Sequence, residues 1–140
     1  MSTPIGHLSR RYHLSASHRL HTEAYTEEQN RAVFGKCNNP FGHGHNYTVQ
    51  VTLSGPVDPV TGMVTNLADL DAFAQRELLD RFDHKNLNTF DCFRELVPST
   101  ENLCIEVYRL FEQYPHAHLE RIRIEETNNN SFEYSGPGAA

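Results

Sequence analysis

The chain has 140 residues, 38% of them apolar and 21% charged, with a net charge of −6. Length and composition fit one domain, residues 1–140, with its own core, and exclude a disordered chain. No apolar run approaches the roughly 18 residues of a membrane-spanning helix, and the acidic balance argues against a nucleic-acid surface.

The opening MSTPIGHLSRRYHLS has no apolar signal core, and Cys37, Cys92 and Cys104 are odd in number and irregular in spacing. These features predict free thiols and a cytoplasmic location. In 7–20, Leu8, Tyr12, Leu14 and Ala16 alternate with Ser9, Arg11, His13, Ser15 and Ser17, which predicts a strand with His18 on the apolar parity. Residues 21–36 read as a loop or short helical excursion. A second strand, 46–55, carries Tyr47, Val49, Val51 and Leu53 on one row, and the Pro- and Gly-rich 55–64 makes a turn. A helix over 66–82 follows, with Asn66 as N-cap and Leu67, Leu70, Ala74 and Leu78 on one face. Another starts after Pro98, capped by Ser99 or Thr100, with Leu103, Val107, Leu110 and Phe111 at helical spacing. Residues 119–127 alternate again, and after the Asn128–Asn130 turn 131–134 pairs back as a hairpin. Strands in pairs and helices in a run predict an α+β layer: a four-stranded antiparallel sheet with two helices packed on one face.

Within GKCNNPFGHGHNY (35–47), His43 and His45 flank one glycine, and Cys37 lies six residues upstream of His43. In extended backbone, residues two apart point the same way, so both imidazoles converge on one point. A catalytic zinc takes three protein ligands and keeps one position open. His18 is the first candidate for the third ligand and His21, of opposite parity, the second. The pattern alone also describes a solvated turn. His116 and His118 share its spacing without other support, and His7 and His13 read as surface residues.

SASHRLH (15–21), FGKCNNPFGHGHNY (34–47), DPVTGMV (58–64), LDAFAQRELLDRFDHKNLN (70–88), PSTEN (98–102) and EETNNN (125–130) occur in this order and together resemble the 6-pyruvoyl-tetrahydropterin synthase family. The resemblance implies a T-fold that assembles through its sheets into a homohexamer, a dimer of trimers with active sites at subunit interfaces. It implies zinc on His18, His43 and His45, and Cys37 as the base. Asp83 and His84 match the family's Asp-His pair, Glu126 its pterin anchor, and Ser99 and Thr100 line the same pocket. The implied reaction converts 7,8-dihydroneopterin triphosphate to 6-pyruvoyl-tetrahydropterin and expels inorganic triphosphate.

These residue types suit that chemistry. Zinc is a redox-inert Lewis acid, fitting a reaction whose electrons move within the substrate. A thiol with an ordinary pKa of about 8.5 is lowered beside a cation, here Lys36 or the metal, and then serves as a base near neutral pH. Asp83 can orient His84 or, adjacent residues pairing poorly, reach Cys37 or a neighbouring subunit; without the resemblance His84 reads as a histidine at a helix C-terminus. Glu126 ends the apolar row Ile122, Ile124, where a carboxylate needs a partner such as the paired N–H groups of a pterin. Arg19, Lys36 and Lys85 are candidates for holding the triphosphate. The rivals are a 6-carboxytetrahydropterin synthase of queuosine biosynthesis, whose interval between cysteine and first histidine is shorter, and a non-catalytic zinc- or pterin-binding protein. A zinc hydrolase would want an HExxH-like base, which is absent.

Overall fold

The computed structural model describes residues 3–138, so the outermost two residues at each end of the expected 1–140 domain lie outside the described residues. Strand β1 (Ile5–His18) alternates as its sequence dictates: Leu14, Ala16 and His18 are buried while their odd-numbered neighbours are at least partly exposed. It pairs antiparallel along its whole length with β2 (His43–Pro56), from Ile5 opposite Pro56 to His18 opposite His43. The second strand therefore begins three residues earlier than periodicity indicates and takes both histidines of the HGH stretch into the sheet.

Between them lies α1 (Glu27–Phe34), where a loop or short excursion is expected. Thr26 and Gln29 form a reciprocal capping box that starts the helix, and Gly35, at φ 56°, ends it. After β2, Asn66 caps α2 (Leu67–Ala74), accepting from the Ala68 and Asp69 amides. The helix runs on through a π-helical turn (Gln75–Leu79) into α3 (Asp80–Phe82). Ser99 caps α4 (Thr100–Phe111). Strand β4 (His118–Thr127) pairs with β2, and β5 (Asn130–Tyr134) closes the hairpin.

The sheet has five strands in the order β3-β1-β2-β4-β5, rather than four. The addition is β3 (Lys85–Asn86), parallel to β1 at Ala16 and Ser17. Two residues are too few to show a period. What seats them is tertiary: the Ser15 amide donates to Asp83 Oδ1 at 2.8 Å, and the His84 amide donates to the Ser15 carbonyl at 2.6 Å.

The core lies between one sheet face and the helices, from Leu14, Val49, Val51, Ile122 and Ile124 to Leu70, Leu78, Leu103 and Phe111. Arg10, on the inward row of β1, is matched rather than buried bare. It donates twice to Asp71 of α2, at 2.6 and 2.7 Å, and the Tyr12 hydroxyl donates to the same carboxylate at 2.8 Å. Cys104 is a packing residue, its thiol pushed up to about 12 by burial. Among the described residues no helix is long and apolar enough to cross a membrane.

Candidate metal centre

The β1–β2 register brings the histidines together. His18 faces His43 across the ladder, His45 faces Ala16, and all share the parity of the helix-covered sheet face. The rings form a chain, with centroids 4.9 Å apart for His18 and His45 and 4.6 Å for His43 and His45.

His18 is fully buried, 0% exposed. Its Nδ1 lies 2.7 Å from the Pro98 carbonyl, which can only accept, so Nδ1 carries the proton and Nε2 presents a lone pair. Among the described residues that Nε2 has no hydrogen-bond partner, and neither has His45 Nε2, although it sits 3.0 Å from Glu126 Oε1. Two buried, unpartnered imidazole nitrogens aimed at one place would be costly unless something fills it.

Cys37 comes from far along the chain. It sits on a 3-10 turn (Gly35–Asn38) folded back over His18. The Leu20 amide donates to the Cys37 carbonyl at 2.7 Å, and buried Asn38 donates to the Leu20 carbonyl at 2.8 Å. Glu126 arrives at the end of β4, one residue beyond the pair Thr48–Glu125 and on the parity of Ile122 and Ile124. The Thr100 hydroxyl donates to Glu126 Oε2 from the first turn of α4. Ser99 is engaged in the cap, accepting from the Asn102 amide at 3.2 Å.

One ligand atom from each of His18, Cys37, His45 and Glu126 lies within 4.8 Å of the other three. Two nitrogens, a sulfur and a carboxylate oxygen suit a borderline-soft divalent ion. His43 is exposed and outside this set, although its ring rests against that of His45.

Burial lowers both His18 and His45 from the ordinary value of 6.5, the Glu126 charge offsetting part of the effect. Burial, with Glu126 adding to it, pushes the Cys37 thiol up, and Lys36 does not counter this, unlike the expectation from adjacency. These shifts favour the uncharged imidazoles of His18 and His45 and the thiol form of Cys37.

Asp83 and His84 do pair, with His84 Nδ1 3.0 Å from Asp83 Oδ2. The left-handed backbone of His84, φ 59°, bends the neighbours into contact. They do not join the metal cluster: the His84 side chain is 81% exposed and lines a shallow groove with Ser15, Ser17 and Asn46. His21 contacts Asn38 and Glu23 instead of the cluster. His116 packs on Tyr114, and His7 and His118 both approach Glu120 at 3.9 Å. Sequence reasoning missed Asn38, Tyr47 and the Pro98 carbonyl. Tyr47 was visible only as a core residue, yet its hydroxyl lies 3.4 Å from His18 Nδ1.

A family profile described as 6-pyruvoyl tetrahydropterin synthase matches residues 7–137. The human 6-pyruvoyl tetrahydrobiopterin synthase is 44% identical over 131 residues, covering 92% of this chain and 90% of the human one. The structure of Caenorhabditis elegans 6-pyruvoyl tetrahydropterin synthase superposes with a TM-score of 0.92 at 39% identity, covering 98% of this chain and 99% of that one. A putative 6-carboxy-5,6,7,8-tetrahydropterin synthase of Archaeoglobus fulgidus is 31% identical over 87 residues, 62% of this chain and 70% of its own. The sheet with its helices is the T-fold of these synthases, and the chain belongs to the 6-pyruvoyl tetrahydropterin synthase family, a family of lyases.

Proposed function

We propose that the protein converts 7,8-dihydroneopterin triphosphate to 6-pyruvoyl-tetrahydropterin with release of inorganic triphosphate, using zinc held by His18, His43 and His45. The observation that carries this reading is the pair of buried, unpartnered Nε2 atoms of His18 and His45 converging with Cys37 and Glu126. His43 supplies the third nitrogen from the same strand as His45, its ring centroid 4.6 Å from that of His45. Zinc held there would supply Lewis-acid polarisation of the substrate's side-chain oxygens and, by its charge, would favour the Cys37 thiolate.

Cys37 takes the proton from the substrate side chain. Loss of that proton, with cleavage of the carbon–oxygen bond, releases triphosphate. The electrons that reduce the ring come from the side chain itself, so no external reductant enters. Glu126 receives the adjacent N–H groups of the pterin in a bidentate pair, and the Thr100 hydroxyl orients it. Ser99 holds Thr100 in place through the cap.

Asp83 and His84 lie outside the cluster of their own chain, and His84 is exposed. They act in the site of a neighbouring copy, in a homohexamer whose sites sit at subunit interfaces. The compartment proposed is the cytoplasm, consistent with the free thiols.

Incubation of purified, zinc-loaded protein with 7,8-dihydroneopterin triphosphate tests the reaction. The expected products are 6-pyruvoyl-tetrahydropterin and triphosphate. A 6-carboxytetrahydropterin product would place the chain with the sister activity, and no turnover would leave a zinc- and pterin-binding protein. The long interval from Cys37 to His43 and the more extensive likeness to the pyruvoyl enzymes favour the first outcome.

A further inference from the structure

Arg10, Arg76, Arg81, Arg94, Arg109 and Arg123 all sit within ion-pair distance of a carboxylate. Arg11, Arg19, Arg31, Lys36, Lys85 and Arg121 do not, among the described residues, and of these Arg19, Arg31 and Lys36 line one cavity of about 520 Å³. Glu27, the one acid lining it, stands four residues before Arg31 on α1 yet forms no ion pair with it among the described residues. In a chain of net charge −6, three cations left without counter-charge around one cavity mark a place for an anion.

The cavity adjoins the metal centre. His43 lines it, and the His43 and His45 rings are 4.6 Å apart. Arg19 follows His18 in the chain and Lys36 precedes Cys37, so two of the cations are peptide neighbours of cluster residues. Arg19 is also pre-oriented: its Nε donates to the Asn38 carbonyl at 3.1 Å, and its terminal nitrogens have no partner among the described residues. A guanidinium held by one edge presents its free edge for bidentate contact with phosphate oxygens. Lys85, a candidate by sequence, lines the separate groove that also contains His84.

We infer that this cavity receives the triphosphate chain of the substrate, with Arg19, Arg31 and Lys36 as the residues that position it. The inference rests on the proposed reaction for the identity of its ligand. The three cations draw the leaving group away from the metal centre, so the carbon–oxygen bond that breaks lies between the zinc-facing side chain and the anion pocket. Arg31 sits on an exposed turn of α1, away from the core, so its replacement reads anion binding rather than folding.

The test measures inorganic tripolyphosphate binding to the zinc-loaded, full-length protein by calorimetry, together with steady-state kinetics on 7,8-dihydroneopterin triphosphate. R31A and K36A are each expected to weaken tripolyphosphate binding by roughly ten-fold or more, the loss typical of a charge-assisted contact. KM should rise in step, R31K should recover part of the loss, and zinc content and affinity for unphosphorylated 7,8-dihydroneopterin should stay at wild-type levels. Absence of tripolyphosphate binding to the wild type, or binding undiminished in both variants, overturns the inference. Tripolyphosphate binding that falls in the variants, without turnover of the pterin in the wild type, upholds the anion pocket and removes the proposed reaction instead.

Discussion

Cys37 and His43 are the residues on which the proposed chemistry turns. Burial and the Glu126 carboxylate raise the Cys37 thiol above its ordinary value, so its use as a base calls for positive charge in the site. Replacing Cys37 by alanine is therefore expected to keep zinc and fold and to lower turnover by about 10²–10⁴, the usual range for a general base; metal analysis alongside kinetics checks both halves. His43 and Glu126 make opposed predictions about the ligand set. If zinc sits on the three histidines, His43→Ala loses the metal and Glu126→Gln keeps it while weakening pterin binding; elemental analysis showing the reverse would give the site to His18, His45, Cys37 and Glu126. The shared sheet face of His18, His43 and His45 was legible because strand parity is a local rule, and β1 and β2 obey it; that His43 stands outside the cluster was not. The arrival of Cys37 beside Glu126 was not, because it depends on buried Asn38 tying the turn to Leu20. No periodicity encodes that contact.

The start of α4 supports the proposed pterin end of the site. Ser99 caps the helix, and the next residue, Thr100, hydrogen-bonds the proposed pterin anchor, so fraying of this turn loosens Glu126. Ser99→Ala is expected to cost about 1 kcal/mol, read as a lower denaturant midpoint at unchanged slope, and to raise KM more than it lowers kcat. Strong amphipathic signals made β1, β2, α4 and β4 readable from sequence. The weak ones hid other elements: α1 buries only Asn30, so it has no apolar stripe to detect. The helix over 66–82 was legible as one span because its apolar face persists, but the π-helical turn at Gln75–Leu79 leaves no such mark. Strand β3 exists through contacts of Asp83 and His84 with Ser15, and these are visible only once the sheet is built.

At the scale of the whole molecule, the stability of the metal-free chain and the proposed assembly can both be tested at the same site. His18 and His45 titrate below their ordinary 6.5 in the folded chain, so below that pH the unfolded chain binds protons that the folded chain does not. Stability of the metal-free protein is thus fully present above 6.5 and declines as pH falls below it. Denaturant midpoints across that range check the slope, which should shrink in His45→Gln. Because His84 stands outside the cluster of its own chain, C37A and H84A homo-oligomers, each inactive, should regain activity after subunit exchange; hybrids that stay inactive would put both residues to work within one chain. Sedimentation should give six times the 16.0 kDa chain mass. The most direct test of the central claim is to strip the purified enzyme of metal with a chelator and assay it before and after adding zinc. The account predicts one zinc per chain, loss of turnover on stripping and recovery on zinc addition; full turnover by metal-free protein would contradict it.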